Sequence, residues 1–330
     1  MDLPLLTASF AALALVFYIV LDGFDLGVGM LLLFRIQQAS RDHMVDSITP
    51  TWDGNETWLI MAGVSLLAAF PTAYAILMPA LYLPVNLMLL GLGLRGVSFE
   101  FRAQMKRHRK RWDYVLACGS VMAAFMQGVI VGALMQGIPV HELHFAGSIL
   151  DVFRPLPLLS GLAVAAGYCV LGAGWLFLKA NILLIRFAVQ VLRVVSCIFI
   201  SVLLVACLVA VHVQPAIRSA WAFHDIALSI LSGFFVALAA FLSTTSQRSR
   251  SWLPLFGGIG LFLSGMTAIV IIIYPNVVPF NLTLWAAAAS ATSQKFVLFG
   301  VACVTPMVLA YSSYAYWVFR GRTPAKGWSE

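Results

Sequence analysis

Long apolar runs limit the possible folds of this chain more than any other feature. Segments such as 183–213 and 226–242 are almost entirely apolar, and a hydrocarbon core about 30 Å thick needs about 20 apolar residues per crossing helix. Charged residues make up 10% of the chain and the mean hydropathy is +0.95, whereas roughly one quarter of the residues in a soluble domain are charged. The composition therefore predicts an integral membrane protein.

The apolar runs favour helices over the strands of a membrane barrel. Barrel strands alternate apolar and polar residues over about ten positions, and no such alternation occurs in this sequence. A helix satisfies its own backbone hydrogen bonds, which lipid cannot do. We expect an all-α polytopic membrane protein with about nine transmembrane helices, over 6–34, 54–76, 79–101, 113–137, 156–180, 184–213, 223–245, 252–275 and 293–319. No long linker interrupts them, so residues 1–330 are expected to form a single integral membrane domain.

The distribution of basic residues predicts the orientation of these helices. Cytoplasmic loops of membrane proteins are enriched in lysine and arginine. On one side of the predicted bundle lie fifteen of the basic residues, namely Arg35, Arg41, Arg102, Lys106, Arg107, Arg109, Lys110, Arg111, Lys179, Arg186, Arg248, Arg250, Arg320, Arg322 and Lys326. The other side holds three, Arg154, Arg218 and Lys295. This asymmetry predicts a periplasmic N-terminus and a cytoplasmic C-terminus, and it accounts for the net charge of +7 without a nucleic-acid partner.

Polar groups inside the predicted helices cluster at the cytoplasmic side. Ionisable groups at membrane depth cost about 2.5–3.5 kcal/mol each, so they are rarely placed there without a function. The first three predicted helices contribute to one layer the residues Asp22, Asp25, Asp53, Asn55, Glu56, Glu100, Arg95 and Arg102. Carboxylates outnumber arginines in this set, and groups that can change protonation state are what a proton path requires. We interpret Asp25, Asp53, Asp22, Glu56, Glu100 and Asn55 as candidates for proton transfer, with Arg95 and Arg102 as charge partners.

A static interpretation of the same residues remains open. In that case Arg95 and Arg102 form ion pairs that neutralise the acids, and Asp53 or Asn55 caps the second helix.

The histidines and cysteines do not indicate a metal or haem site. His43, His108, His141, His144, His212 and His224 are predicted in loops or at helix ends, whereas a di-haem bundle needs histidines facing inward from the middle of its helices. The cysteines form no CxxC pair. We expect no haem ligand, no metal ligand and no catalytic residue in this chain.

Three motifs resemble a known family. DGFDLG at 22–27, WDGNETW at 52–58 and RGVSFEFR at 95–102, in that order, are similar to subunit II of cytochrome bd-type ubiquinol oxidases, in the cyanide-insensitive branch. The resemblance covers essentially the whole chain and includes the segments YP at 274–275 and NLTLW at 281–285. Relatives often carry an aspartate just after the tryptophan that aligns with Trp285, where this chain has Ala286.

The resemblance implies a fold, a partner and a function. It implies two four-helix bundles plus one peripheral helix, paired in a heterodimer with a subunit I that holds the b-type haems, haem d and the quinol site. The complex would sit in the bacterial inner membrane, oxidise quinol, reduce dioxygen to water and generate proton motive force with cytoplasmic protons. Asp25 and Asp53 match acids of the proton route in the family, with Asn55 and Glu56 beside them.

Other readings of the sequence stay open. The acidic cluster is also compatible with a cation-coupled transporter, although the midplanes of the fourth to eighth predicted helices offer few polar groups for a substrate cavity. A purely structural anchor is a further alternative. The sequence leaves undecided which quinone is used, whether the partner holds haem d or haem b, whether a quinone binds this subunit structurally, and whether a small single-helix accessory subunit is present.

Overall fold

The computed structural model describes residues 2–34, 37–179, 182–244 and 252–321. Its helices are α1 (Leu3–Leu31), α2 (Gln38–Ile48), α3 (Trp52–Ala69), α4 (Pro71–Ala80), α5 (Tyr82–Gln104), α6 (Arg109–Gln136), α7 (Pro155–Lys179), α8 (Ile182–Val213), α9 (Pro215–Phe223), α10 (Asp225–Ser243), α11 (Leu253–Ile273), α12 (Leu284–Ala287) and α13 (Ala291–Val318). Two short antiparallel hairpins pair β1 (Val140–His141) with β2 (His144–Phe145) and β3 (Asn276–Val278) with β4 (Leu282–Thr283). The expectation of an all-α polytopic protein is confirmed.

Within the described ranges, eight helices are long and apolar enough to cross a membrane: α1, α5, α6, α7, α8, α10, α11 and α13. The remaining predicted crossing, over 54–76, falls on α3 and α4 and is not one kinked helix. The chain breaks at Phe70, and Pro71 begins α4, because proline has no N–H for a continuing helix and is favoured at a first helical position. The prediction of a single helix over 54–76 was therefore wrong.

The helices form two groups and one peripheral helix. The first group contains α1, α3, α4, α5 and α6, in which α3 and α4 together take the place of one helix, and the second contains α7, α8, α10 and α11. The groups meet where α7 packs against α1 and α6, while α13 lies against α3 and α1. This arrangement agrees with the expected two four-helix bundles plus one peripheral helix.

Glycine permits close contact between the groups. A Cβ atom placed on Gly27 of α1 would lie 1.9 Å from the carbonyl oxygen of Tyr168, and one on Gly172 of α7 would lie 2.5 Å from the carbonyl carbon of Gly27. Small residues let membrane helices approach each other to backbone contact, where dispersion and packing hold them together. The position of the first helix therefore depends on α7.

The two ends of the bundle differ in charge. At one end of the bundle, which we call "the basic end", helices α1, α5, α7 and α13 end and helices α3, α6 and α8 begin. The basic residues Arg41, Arg102, Arg109 and Lys179 lie at this end. Of the residues used to predict orientation, Arg35, Arg248, Arg250, Arg322 and Lys326 lie outside the described residues. That the basic end faces the cytoplasm stays a prediction.

The opposite end is covered by the two hairpins. Residues between α6 and α7 form β1, β2 and a 3-10 helix over Ile149–Phe153, capped by the Ser148 side chain. Residues between α11 and α13 form β3, β4 and α12, and Asn281 donates a hydrogen bond of 2.9 Å to the carbonyl of Ile138. This contact ties the two connections together.

Candidate functional site

A buried polar layer lies about one to two and a half helical turns inside the basic end. We call it "the acidic layer" and define it as Asp22, Asp25, Asn55, Glu56 and Arg95. Asp22, Asp25 and Arg95 are fully buried, and Asn55 is 1% exposed. Asp22 and Asp25 face the same way because residues three apart share one face of a helix. Helix ends from three segments therefore bring three carboxyl groups and one guanidinium together.

Arg95 is the charge centre of this layer. Its Nη1 lies 2.6 Å from Oδ1 of Asp22, and its Nη2 donates to Oε2 of Glu56 at 3.0 Å. The guanidinium also lies over the ring of Trp52, 5.8 Å from the centroid. A buried charge is tolerated when it is paired, so the static interpretation fits Asp22. Glu56 is a peripheral member, since its side chain is 25% exposed.

Asp25 has a different environment from Asp22. The Nδ2 of Asn55 donates to Oδ2 of Asp25 at 2.7 Å and also to the carbonyl of Leu21 at 3.3 Å. The hydroxyl of Tyr316 donates to Oδ1 of Asn55 at 3.0 Å. Oδ1 of Asp25 is buried and accepts no hydrogen bond, and no Lys or Arg within the described ranges forms an ion pair with this carboxyl. Asp25 therefore sits beside the ion-paired centre without belonging to it.

Asp53 and Glu100 do not enter the layer. Both are exposed on the outer faces of α3 and α5. Asp53 precedes Asn55 by two residues, and positions two apart point about 200° away from each other on a helix. Because Asn55 faces Asp25, Asp53 has to face outward. The expectation that these acids share one cluster with Asp25 was wrong.

The capping alternative for the start of α3 is also wrong. The N-cap residue is Thr51, and no side chain in the described part of the chain caps this helix end. The Asn55 amide instead bonds across to α1, where it reaches the Asp25 carboxyl.

Arg102 was predicted as a charge partner of the layer, but it serves a second cluster closer to the basic end. Its Nε donates to Oδ1 of Asp113 at 2.6 Å, and its Nη2 pairs with Oδ1 of Asp42. Gln38 donates to Oδ2 of Asp113 at 3.0 Å. Asp113 is fully buried. The cluster joins α5 and α6 to α2, a short polar helix that the apolar pattern did not predict.

Two titratable groups on α2 lie in this second region. Burial lowers the pKa of His43 from its ordinary value, and the nearby Asp46 carboxylate opposes that shift. Burial raises the pKa of Asp46, while Arg102 acts in the opposite direction. Both shifts arise because a charged form loses hydration when it is buried. Neutral forms of both groups are therefore favoured relative to exposed side chains.

Beyond the acidic layer and the cluster around Arg102, a third set of polar side chains lies deeper in the bundle than the acidic layer. Nε2 of Gln127 donates to the hydroxyl of Tyr18 at 2.6 Å, and the hydroxyl of Tyr168 donates to Oε1 of Gln127 at 2.8 Å. Tyr18 precedes Asp22 by one helical turn, so its hydroxyl points along the same face of α1. The amide and both phenols come from α1, α6 and α7, and sequence reasoning missed all three.

Potential cofactor ligands are scattered. Within the described ranges, no group of three or more His, Cys, Asp or Glu side chains is arranged to hold a metal ion. The acidic layer contains carboxyl, amide and guanidinium groups; the carboxyl groups can take up and release protons, and all three kinds of group can form hydrogen bonds with water.

Comparison with known proteins agrees with the motif resemblance. A family model described as cytochrome bd terminal oxidase subunit II matches residues 3–319. Cytochrome bd-I ubiquinol oxidase subunit 2 of Escherichia coli (strain K12) is 28% identical over 348 residues, with 93% of this chain and 92% of the relative covered. Cytochrome bd ubiquinol oxidase subunit 2 of Bacillus subtilis (strain 168) is 29% identical, with 96% and 95% covered.

A solved structure shares the fold. The bd oxidase from Geobacillus thermodenitrificans contains a chain that matches 97% of this one with a TM-score of 0.80, at 17% sequence identity and with 99% of that chain covered. At that identity the match concerns the fold alone. These matches lend no support to the transporter alternative.

Proposed function

The chain belongs to the cytochrome bd terminal oxidase subunit II family, and from that premise we propose that it is the haem-free subunit of a bacterial quinol oxidase. It is a multi-pass protein of the inner membrane. Complexes of this family contain haem and pair subunit II with a subunit I. In the proposal, the b-type haems, haem d and the quinol site belong to subunit I, and this chain stabilises that subunit and delivers protons for the reduction of dioxygen to water.

The position of Asp25 is the observation that carries the proton proposal. Asp25 is fully buried, bonds through one oxygen to Asn55, and has a second oxygen that accepts no hydrogen bond from the described residues. An ion-paired carboxylate cannot take up a proton without leaving its cation unneutralised in a low-dielectric site. Asp25 avoids that cost, so it is the better proton carrier of the two buried aspartates.

Asp22, Arg95 and Glu56 have a supporting role in this scheme. Arg95 pairs with both acids, which keeps a fixed positive charge near Asp25 while its own bonds hold α1, α3 and α5 in register. Glu56 is partly exposed, so it provides an outer carboxylate from which a proton can approach the layer.

Asp53 and Glu100 act at the surface in this scheme. Both acids project from the first bundle at the depth of the basic end. We place them on the side where subunit I docks, with Asp53 passing protons across the boundary between the subunits. A small single-helix accessory subunit and a structurally bound quinone are compatible with the large apolar surface of α13 and α10, on which Phe296, Phe299, Ile226 and Ile230 are exposed.

The proposal can be tested in the purified complex. A tag on this chain should co-purify a haem protein, and the complex should consume oxygen with quinol as electron donor. Asp25→Asn removes the proton carrier and keeps its shape and its contact with Asn55. Loss of a positioned acid–base group slows a reaction by about 10²–10⁴-fold, so we expect oxygen uptake to fall by at least about tenfold while haem spectra stay as in the wild type.

Asp225→Asn is the matched control, because Asp225 is exposed in the first turn of α10 at the other end of the bundle. Asp53→Asn tests the surface step separately and should also slow oxygen uptake. If no haem protein co-purifies, the oxidase proposal is wrong. If the complex assembles and Asp25→Asn respires at the wild-type rate, the proton role of Asp25 is wrong.

A further inference from the structure

A small cavity adjoins the polar chain that ends at Asp25. It has a volume of about 10 Å³ and lies at the basic end, where the start of α3 meets the ends of α7 and α13. Ser47, Thr51, Lys179 and Tyr316 contribute polar side chains to its lining, and Trp175 forms an apolar wall. A volume of roughly 10–15 Å³ accommodates one water molecule, provided that two to four polar partners are available. The cavity meets both conditions.

The mouth of the cavity is held by two helix ends. Nζ of Lys179, the last residue of α7, donates a hydrogen bond of 2.7 Å to the carbonyl of Phe319, just beyond α13. The ammonium group lies over the Trp175 ring, 5.0 Å from its centroid. Trp175 in turn stacks on Phe24 of α1 at 4.2 Å. The polar mouth and the α1 segment with both aspartates therefore form one packed unit.

Tyr316 connects the cavity to the acidic layer. Its hydroxyl donates to Asn55, and the Thr51 side chain is close enough to interact with the same hydroxyl. Asn55 then donates to the Asp25 carboxyl. The order from the basic end inward is cavity, Tyr316, Asn55 and Asp25, and the hydrogen bonds between the three side chains measure 3.0 Å and 2.7 Å.

We propose that Tyr316 is the point of proton uptake for Asp25, supplied by a single water molecule in this cavity, with Asn55 acting as a gate between the two. This inference rests on the proposed proton role of Asp25. In the relay, the phenol oxygen receives a proton from the water side as the phenol's own proton leaves toward Asp25. The water then regains a proton from the solvent at the basic end, so both the phenol and the water are restored. The net change is one proton moved from the solvent to the Asp25 carboxylate.

The gate follows from the chemistry of the amide. A carboxamide does not release an N–H proton at neutral pH, so Asn55 in its present position separates the phenol from the carboxyl group. Rotation of the Asn55 side chain lets a second water molecule, separate from the one in the cavity, join Tyr316 to Asp25, and return of the amide closes the path. Asn55 is thereby assigned a positioning role. Its amide accepts a hydrogen bond from Tyr316 and donates one to Asp25, so it lies directly between the two groups.

The test uses the complete oxidase complex with Tyr316→Phe, which removes only the hydroxyl. Proton uptake is followed with a pH-indicator dye while the fully reduced complex reacts with dioxygen, and haem spectra report assembly. We expect proton uptake at least about tenfold slower than in the wild type. The solvent deuterium isotope effect should increase, because proton transfer becomes the slow step, whereas a merely structural change would leave it as it was.

Tyr314→Phe is the control, since Tyr314 lies on the same helix but is 65% exposed and does not line the cavity. It should behave as the wild type. If Asp25→Asn slows proton uptake and Tyr316→Phe does not, the uptake point is wrong while the role of Asp25 stands. If neither variant slows it, the proposed function fails first. If the Tyr316→Phe complex does not assemble, Thr51→Val provides the test, because it removes another hydroxyl from the cavity lining. Slower proton uptake in Thr51→Val supports the inference, and proton uptake at the wild-type rate overturns it.

Discussion

Removal of Arg95 tests how the acidic layer is held together. Arg95→Met keeps the apolar, unbranched stem of the side chain but is shorter, and it deletes the charge that lies 2.6 Å from Asp22. Asp22 is fully buried and has no alternative cation within 4 Å among the described residues. Glu56 loses the same partner but keeps contact with solvent through its 25% exposed side chain. The cost of the substitution therefore falls on Asp22.

The loss of stability caused by Arg95→Met is limited by two alternative responses of Asp22, which can stay charged and unpaired or take up a proton. A carboxylate left unpaired in a buried site costs about 3–5 kcal/mol. The alternative is protonation, which for a carboxyl group of ordinary acidity costs about 1.4 kcal/mol per pH unit above 3.9, or roughly 4 kcal/mol at pH 7. We expect the variant to lose about 3–4 kcal/mol at pH 7. Once Asp22 is protonated, the folded variant holds one proton more than the unfolded chain, so its deficit shrinks as pH falls, by about 1.4 kcal/mol per unit.

The assay is the thermal stability of the detergent-purified complex, with haem content as the measure of assembly. Arg95→Met should unfold at a lower temperature than the wild type, and the difference should narrow between about pH 7 and pH 5. Arg95→Met combined with Asp22→Asn should recover most of the loss, because replacing a whole buried pair with neutral groups costs far less than breaking it. A loss that the second substitution does not reverse would refute this account of the layer.

Two further predictions concern packing and pH. Gly27→Ala would place a Cβ atom 1.9 Å from the carbonyl oxygen of Tyr168, so α1 and α7 must separate, and we expect less haem-bearing complex per cell. At Gly63 no atom of the described residues lies within 4 Å of an added Cβ, so Gly63→Ala should purify as the wild type. Burial lowers the pKa of His43 from 6.5, so the stability that neutral His43 supports is present above that pH and declines as pH falls below it. His43→Gln should reduce the decline in unfolding temperature between about pH 7 and pH 5.5, and an unchanged decline would contradict the assignment.

Sequence reasoning located the acidic layer because its members obey simple helical spacing. Asp22 and Asp25 are three residues apart, and Asn55, Glu56 and Arg95 lie at helix ends on the side predicted to be the same. Successive transmembrane helices run in opposite directions, so once the helices are assigned, the end of one and the start of the next lie on the same side of the membrane. The same logic could not exclude Asp53, since its outward direction depends on the rotation of α3, and Thr51, rather than an acidic residue, proved to be the N-cap.

The partners of the layer were harder to predict. Lipid and protein interior are both apolar, so the hydrophobic pattern does not fix which face of a membrane helix points inward. Gln127, Tyr168 and Tyr316 are single polar residues within long apolar helices, and nothing in the sequence separates them from tyrosines exposed on the surface, such as Tyr311. Arg102 was misassigned for another reason: its partner Asp42 lies on α2, which is too short and polar to register as an apolar run.

Helix α13 shows how the two ends of the bundle cooperate. Most of its apolar surface is exposed, and Phe296, Phe299 and Met307 are each more than two-thirds exposed. At one end Gln294 is 1% exposed, donates to the carbonyl of Ala69 at 2.8 Å and accepts a bond from Thr7. At the basic end Tyr316 bonds to Asn55.

Apolar contact discriminates poorly among helix rotations in a membrane, whereas an unmade buried hydrogen bond is costly. These end contacts therefore fix the rotation of α13. Because α13 itself presents the Tyr316 hydroxyl to Asn55, the same contact that orients the helix also completes the polar chain to Asp25.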